Sequence, residues 1–418
     1  MKKERLNIQC ILIVIILFSG SSVLADYRNF LIILLPILAF IERIICSSGK
    51  FKVGLKGSRV FLLLVIVYYC LFQTLYVSAL ESLLKYLVIL MAIAAFWILK
   101  VQRINFIEKL IKYMNVYTII ISISILITVV YNEFIFDVLP FMLPSNISSL
   151  SVYKNELING NFSGISLERS YAAFAMVVCI IINLSNYTTP EYNIKNNKKS
   201  LFAVFLAYIA LFCTGKRMLF FVAILVSFII FLIHSTKIIK TKLLKASFLL
   251  IFITLIIMSV FPDAGRVFDR LLDMNTFDTR IDNYWKYCYE MFVNNPLFGN
   301  GINTFVDYIT PYRNNEIYNA HNIYFQLLGE VGIIGFTIFM YFFISNLTIT
   351  YKLLRKSISL NDSKNVYYLK IFYCIQILFL TYGISGNTLY YFSQLYIYMI
   401  SIYCVMVIQK KCIGDEKK

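Results

Sequence analysis

Histidine is scarce in this 418-residue chain, which has only two, His234 and His321. The nine cysteines are scattered singly and fall mostly inside apolar runs. There is no Cys-x-x-Cys pair and no His/Cys spacing suited to zinc, so neither a metal ribbon nor a disulfide framework is indicated. Cys288 alone falls clearly in a connecting segment, with Cys213 near the end of an apolar run. Asp278 and Asp282 in "FDTRID" stand four apart, which suits a solvated helix face better than a Mg²⁺ site, and no paired-aspartate motif stands elsewhere in the connecting segments. There is no internal repeat at solenoid or propeller periods. Nor are there the matched broken helices of inverted-repeat transporters.

What the chain has instead is apolar length. It is 60% hydrophobic and 17% aromatic, with a mean hydropathy of +0.75, well outside the range of soluble domains. A bilayer core takes about 20 apolar residues per crossing helix, and such runs recur throughout. Spans are expected near 8–24, 29–46, 60–79, 84–99, 114–132, 167–185, 200–214, 217–234, 246–262, 325–348, 368–386 and 389–409. The fold class is therefore all-α: a polytopic integral membrane protein with about 12 transmembrane helices.

The formal net charge of +17 could suggest nucleic acid, but the placement of the cations argues against it. With the N-terminal Met-Lys-Lys-Glu-Arg inside, "SGKFKVGLKGSR", "KVQRINFIEKLIK", "KNNKKS", "STKIIKTKLLK", "YKLLRKSISLNDSK" and the C-terminal tail all fall inside too. Arg43 and Lys370 sit at span ends on that same side. This sorting is the positive-inside pattern; it puts both termini in the cytoplasm and assigns the charge to topology and anionic-lipid contact. The first span has the basic start and small-residue stretch of a signal peptide, but cleaving it would reverse the helix parity that the charges support. Residues 1–261 are thus expected to form nine spans with a smaller outer segment near 131–166. A large outer loop follows over 262–324, and three spans with a cytoplasmic tail over 325–418.

Three stretches on the outer side stand out. In the first, "YNAHNIYFQLLGEVGIIGF" over 318–336, helical spacing places His321, Phe325, Leu328, Gly332 and Gly335 on one stripe, where the glycines would admit a close neighbour. Glu330 falls on the opposite side, better placed to pack against another helix than to orient the imidazole. An imidazole titrating near 6.5 suits taking a proton from a hydroxyl; an interfacial histidine with no chemical task is the competing reading. In the second, "TRIDNYWKYCYEMFVNNP" reads as an amphipathic helix with Ile281, Tyr284, Cys288, Met291 and Phe292 near one face. Trp285 and the tyrosines suit the headgroup level. Pro296 then ends the helix, and Gly299 and Gly301 permit unusual backbone angles. In the third, cations stand on the outer side against the general sorting: Lys216 and Arg217 in "CTGKRMLFF", Arg280, and Arg169 in "LERSYAAF". One such arginine usually binds lipid phosphate. Several converging would suit a diphosphate, which guanidinium forks match bidentately, and could neutralise a leaving pyrophosphate without a metal.

The order His-Asn, nine residues, Gly, two residues, Gly in "HNIYFQLLGEVGIIG" resembles the signature of the O-antigen ligase and polymerase superfamily. "TRIDNYWKYCYEMFVNNPLFGNGINTF" is similar to that family's segment before the histidine, and "CTGKRMLFF" to its arginine at the outer start of a helix. Phe221 stands where the ligases often have leucine. The resemblance implies a metal-independent glycosyltransferase of the bacterial inner membrane, needing no cofactor and acting at the periplasmic face. Its donor would be a glycan on undecaprenyl diphosphate; its acceptor, a sugar hydroxyl. His321 would be the general base, Arg217 and Arg280 would hold the diphosphate, and Asn322 would orient the imidazole or a sugar. Arg169 and Lys216, and more loosely Tyr284, Trp285, Gly299 and Gly301, are further substrate-binding candidates. A ligase passes the glycan to lipid A-core, a polymerase to a second lipid-linked repeat. The intact His-Asn spacing leans to the ligase; Phe221 and the sizeable first outer segment lean to the polymerase. A lipid-linked oligosaccharide flippase is the reading from another class, and predicts midplane charges around a cavity.

Overall fold

The computed structural model describes residues 8–18, 23–47, 58–101, 104–143, 147–189, 197–233, 280–312 and 319–415. Within them the chain is helical. The elements run α1 Ile8–Phe18, α2 Val23–Ser47, α3 Ser58–Gln73, α4 Leu80–Leu99, α5 Ile104–Val130, α6 Phe134–Val138, α7 Ile147–Ile158, α8 Arg169–Tyr187, α9 Asn197–Cys213 and α10 Arg217–Ile233. After the next described residue, Arg280, a π-helical turn Ile281–Trp285 leads into α11 Lys286–Asn294. Then follow α12 Phe305–Ile309, α13 Ile323–Ser359, α14 Ser363–Tyr382 and α15 Phe392–Asp415. Eleven of the expected spans coincide with helices; the one at 246–262, and His234, lie outside the described residues. By length and composition five helical stretches can cross a membrane unaided: Leu80–Leu99, Ile104–Val130, Arg169–Tyr187, Ile323–Ser359 and Phe392–Cys412. The chain is a polytopic helical membrane protein.

Helix α8 is the axis of the bundle. Every residue from Ser170 to Ser185 is buried, and Ala172, Ala173 and Ala175 let α5, α9, α10 and α14 approach it. The last turns of α4 and α8 are closed by cations. Arg43 donates to the carbonyls of Ile98 and Leu99 at the end of α4. Lys370 is fully buried, and its Nζ meets Thr188 Oγ1 at 2.9 Å where α8 stops. Both satisfy the negative ends of helix dipoles, and Lys370 lies inside the bundle rather than at its lipid-facing edge.

Helix α13 does not run straight through. Gly332 has φ 63 and ψ −175, a conformation open to glycine alone, and it breaks the helix after Val331. The groups freed by the break are bonded within the protein, as a non-helical backbone at membrane depth requires. Ile333 N–H donates to Pro296 O at 2.9 Å, and Gly301 N–H to Glu330 O at 2.7 Å. From α3, Tyr69 Oη donates to Val331 O at 2.7 Å and Gln73 Nε2 to Phe298 O at 2.8 Å. Among the described residues α13 is therefore a broken helix where the sequence suggested a continuous one.

Candidate functional site

The continuous helical stripe expected from His321 to Gly335 does not form. Asn322 is the N-cap of α13, its Oδ1 accepting from Tyr324 N–H at 3.0 Å and Phe325 N–H at 3.1 Å. His321 precedes the helix with φ 54, and Gly332 ends the first helical segment beyond it. Asn322 is buried by its capping role, and the side chain within hydrogen-bonding distance of the imidazole Nδ1 is Asn387.

Asn387 lies in the turn between α14 and α15. Its Oδ1 accepts from His321 N–H at 2.8 Å, and its Nδ2 lies 3.3 Å from His321 Nδ1. Ile323 N–H donates to Gly383 O at 2.9 Å in the same turn. These bonds stitch the histidine segment to the α14–α15 turn and hold the ring in its left-handed backbone setting. Tyr284 meets the ring edge-on, with centroids 6.0 Å apart. Trp285 Nε1 donates to Ala320 O at 2.9 Å and the indole lies 5.1 Å from Phe325. Tyr284 and Trp285 thus flank the histidine from the π-helical turn. That turn also shifts the register expected for the amphipathic helix: Cys288 and Met291 are buried, but Ile281 is 43% exposed.

Three of the outer-side cations, Arg280, Lys216 and Arg169, act electrostatically on the histidine, and Arg217 acts on Arg280. The turn after α9 is made tight by Gly215, φ 65, and presents Lys216 and then Arg217 at the first position of α10. Arg280 Nη1 lies 3.4 Å from Ser385 O. Arg169 Nε pairs with Glu156 Oε1 at 2.8 Å, while Glu168 caps α8. Burial, and then the charges of Arg280, Lys216 and Arg169, push His321 down to about 4. Burial, and next Arg169, push Lys216 down to about 8. Arg280 is lowered by burial first, with Arg217 among the charges that add to the effect. The imidazole is consequently neutral at pH 7, with three cations acting on it. Phe162 N–H donates to Cys213 O at 3.1 Å, so the first outer segment docks on the cationic turn.

Gly299 and Gly301 have a different placement. Both have positive φ, and a Cβ on Gly299 would overlap Glu330 O and Gly332 N. They let the 295–301 turn close against the break in α13, two turns along from His321. Glu330 holds that junction together. It is fully buried, accepting from Asn303 N–H at 2.7 Å, Phe305 N–H at 3.0 Å, Gln326 Nε2 at 3.0 Å and Tyr390 Oη at 2.8 Å. Gln326 Oε1 in turn accepts from Ala320 N–H at 3.0 Å. Glu330 thus binds donors of the neighbouring loops together with Gln326 of its own helix, and Gln326 links it to the histidine segment.

Fold and site together define a polytopic helical membrane protein with a histidine-centred cationic site at one end of its bundle. Residues 202–340 match the family model described as O-antigen ligase, and this match supports the resemblance to the O-antigen ligase and polymerase superfamily. The matched segment includes Lys216, Arg217, Arg280, His321 and the break at Gly332, whereas Arg169 and Asn387 lie outside it. No curated protein matches the chain.

Proposed function

We propose that this protein transfers a glycan from undecaprenyl diphosphate to a sugar hydroxyl at the His321 site, on the periplasmic face of the bacterial inner membrane. The observation that carries the reading is the neutral imidazole under the charges of Arg280, Lys216 and Arg169, with Arg217 acting in turn on Arg280, within or beside a segment that matches the O-antigen ligase family. His321 takes the proton of the acceptor hydroxyl as its oxygen bonds to the anomeric carbon. The bond from that carbon to the phosphate oxygen breaks, and the lipid diphosphate leaves with the electron pair. Arg217, Arg280 and Lys216 balance the charge of the leaving group. Arg169, already paired with Glu156, sets the outer edge of the cluster.

Lipid A-core is the acceptor favoured by the intact His-Asn spacing, which makes the protein an O-antigen ligase of lipopolysaccharide biosynthesis. A second lipid-linked repeat is favoured by one observation, the docking of the first outer segment beside the cationic turn through Phe162 and Cys213. The family domain supports a transferase over a flippase. The test uses purified protein, an undecaprenyl diphosphate-linked glycan, and lanes with and without lipid A-core. Product only with lipid A-core identifies a ligase; a ladder of longer lipid-linked glycans without it identifies a polymerase. His321→Ala is expected to lose about 10²–10⁴-fold in turnover, and full turnover from folded variant would reject the mechanism.

A further inference from the structure

A cavity of about 400 Å³ opens on the same end of the bundle, between the α3–α4 turn and the far end of α11. Its volume falls within the roughly 300–1,000 Å³ of small-molecule sites. Two aromatic groups flank it. On one side Tyr76 packs on Phe72 at 5.3 Å, and Phe72 on Phe298 at 5.6 Å. On the other Tyr308 leads a row with Tyr312 and Tyr287, at 6.2 and 5.4 Å.

The floor between them is rigid. Asn300 Nδ2 donates to Met291 O at 2.8 Å and Gly329 O at 3.0 Å, and Asn295 Nδ2 donates to Asn300 Oδ1 at 2.6 Å. Above it stand Ser78, Asp307 and the hydroxyls of Tyr76 and Tyr308. Among the described residues no hydrogen bond engages these four groups, and Tyr76 is 72% exposed.

The lining selects its ligand. No lysine or arginine lines the cavity and its one charged group is the Asp307 carboxylate, so a phosphate or diphosphate is disfavoured. A single carboxylate does not hold a cation. The mixture of hydroxyl, amide and carboxylate suits an acyl chain poorly. A sugar ring has the complementary surface: apolar C–H faces for the tyrosines, and hydroxyls for a carboxylate that accepts several hydrogen bonds.

The cavity does not hold the reacting bond. From Arg280 to Asn295 the chain is helical, and at about 1.5 Å per residue that separates the two by roughly 20 Å. The Glu330 junction fixes the spacing, because Asn303 and Phe305 beside the cavity and Gln326 beside the histidine segment bond one carboxylate.

We propose that this cavity is a sugar subsite, binding one uncharged unit of a glycan whose reacting end lies at His321. The ligand class rests on the transferase reading; the site itself does not. The probe is the glycan freed from its lipid diphosphate by mild acid, titrated calorimetrically into the full-length protein in detergent. Wild type and His321→Ala are expected to bind it equally, and Asp307→Asn and Tyr308→Ala at least tenfold more weakly. The same two variants should raise the KM for a multi-repeat donor. Asp307 is exposed, so its variant tests the site without disturbing the fold. Failure of the wild type to bind the free glycan, or unchanged binding by both variants, would overturn the subsite. Binding without any transfer would overturn the transferase reading and leave the subsite standing.

Discussion

His321 combines two costs in one residue. A positive φ of 54 is uncommon for a side chain that has a Cβ, and a pKa near 4 makes its imidazole a weak base in the free protein. Both make sense if the site is completed by its substrate. Burial is the largest cause of that depression, and the charges of Arg280, Lys216 and Arg169 add to it. Under the proposed function a bound diphosphate would offset those charges, so the basicity of the imidazole should rise as the donor binds. The pH profile reads this directly. Because kcat/KM reports the free enzyme, it should hold down to about pH 4 before protonation of His321 removes the base. The acid limb of kcat, which reports the complex, should lie at higher pH. Asn387→Asp should raise both limbs, since a carboxylate beside Nδ1 favours the imidazolium; coincident, unmoved limbs would show that His321 is not the titrating base. His321 and the cations that act on it stand out in the sequence because each breaks a pattern: a rare residue at a span mouth, and positive charges that go against the general sorting. Asn387 breaks none. It is an uncharged residue in a short turn, 66 positions from the ring it touches.

At the scale of elements, periodicity read α13 as one helix because the apolar pattern continues on both sides of Gly332. The break is set by backbone angles and by the turn that fills it, neither of which leaves a hydropathy signal. Gly332→Ala should cost about 1–3 kcal/mol for the backbone setting alone, and more because its Cβ would come within 2.5 Å of Leu297 O. The expected result is a lowered melting temperature in detergent with loss of transfer. Unchanged melting would mean that the helix runs straight. The π-helical turn is a similar omission: it rotates Ile281 outward while aiming Tyr284 and Trp285 at the histidine segment. Cys288 and Met291 kept their expected burial because they lie in regular α-helix beyond it.

Across the whole molecule, the helices were the most legible feature, since apolar length alone marks them. Orientation was read from the lysines and arginines, and it can be tested apart from any activity. Lys154 on α7 and Lys198 on α9 are both exposed and belong to opposite ends of the bundle by the charge sorting. In a cysteine-free background, Lys154→Cys should react with an impermeant maleimide on intact cells and Lys198→Cys should not. The reverse pattern would turn the molecule over and put the His321 site in the cytoplasm. The depth of α8 could not be foreseen, because its sequence is no more apolar than that of its lipid-facing neighbours.

The break at Gly332 also has a mechanical consequence. Residues 323–331 are bonded to the cap through Glu330, Gln326 and Gly383, and beyond the break Ile333 and Ile334 are bonded to Pro296 and Leu297 of the same cap. A helix that meets a thinner or thicker membrane tilts to fit it, and with both sides of the break tied to one cap such a tilt carries through to the histidine. Turnover should therefore depend steeply on acyl-chain length. A flat dependence would mean that the glycine absorbs the tilt.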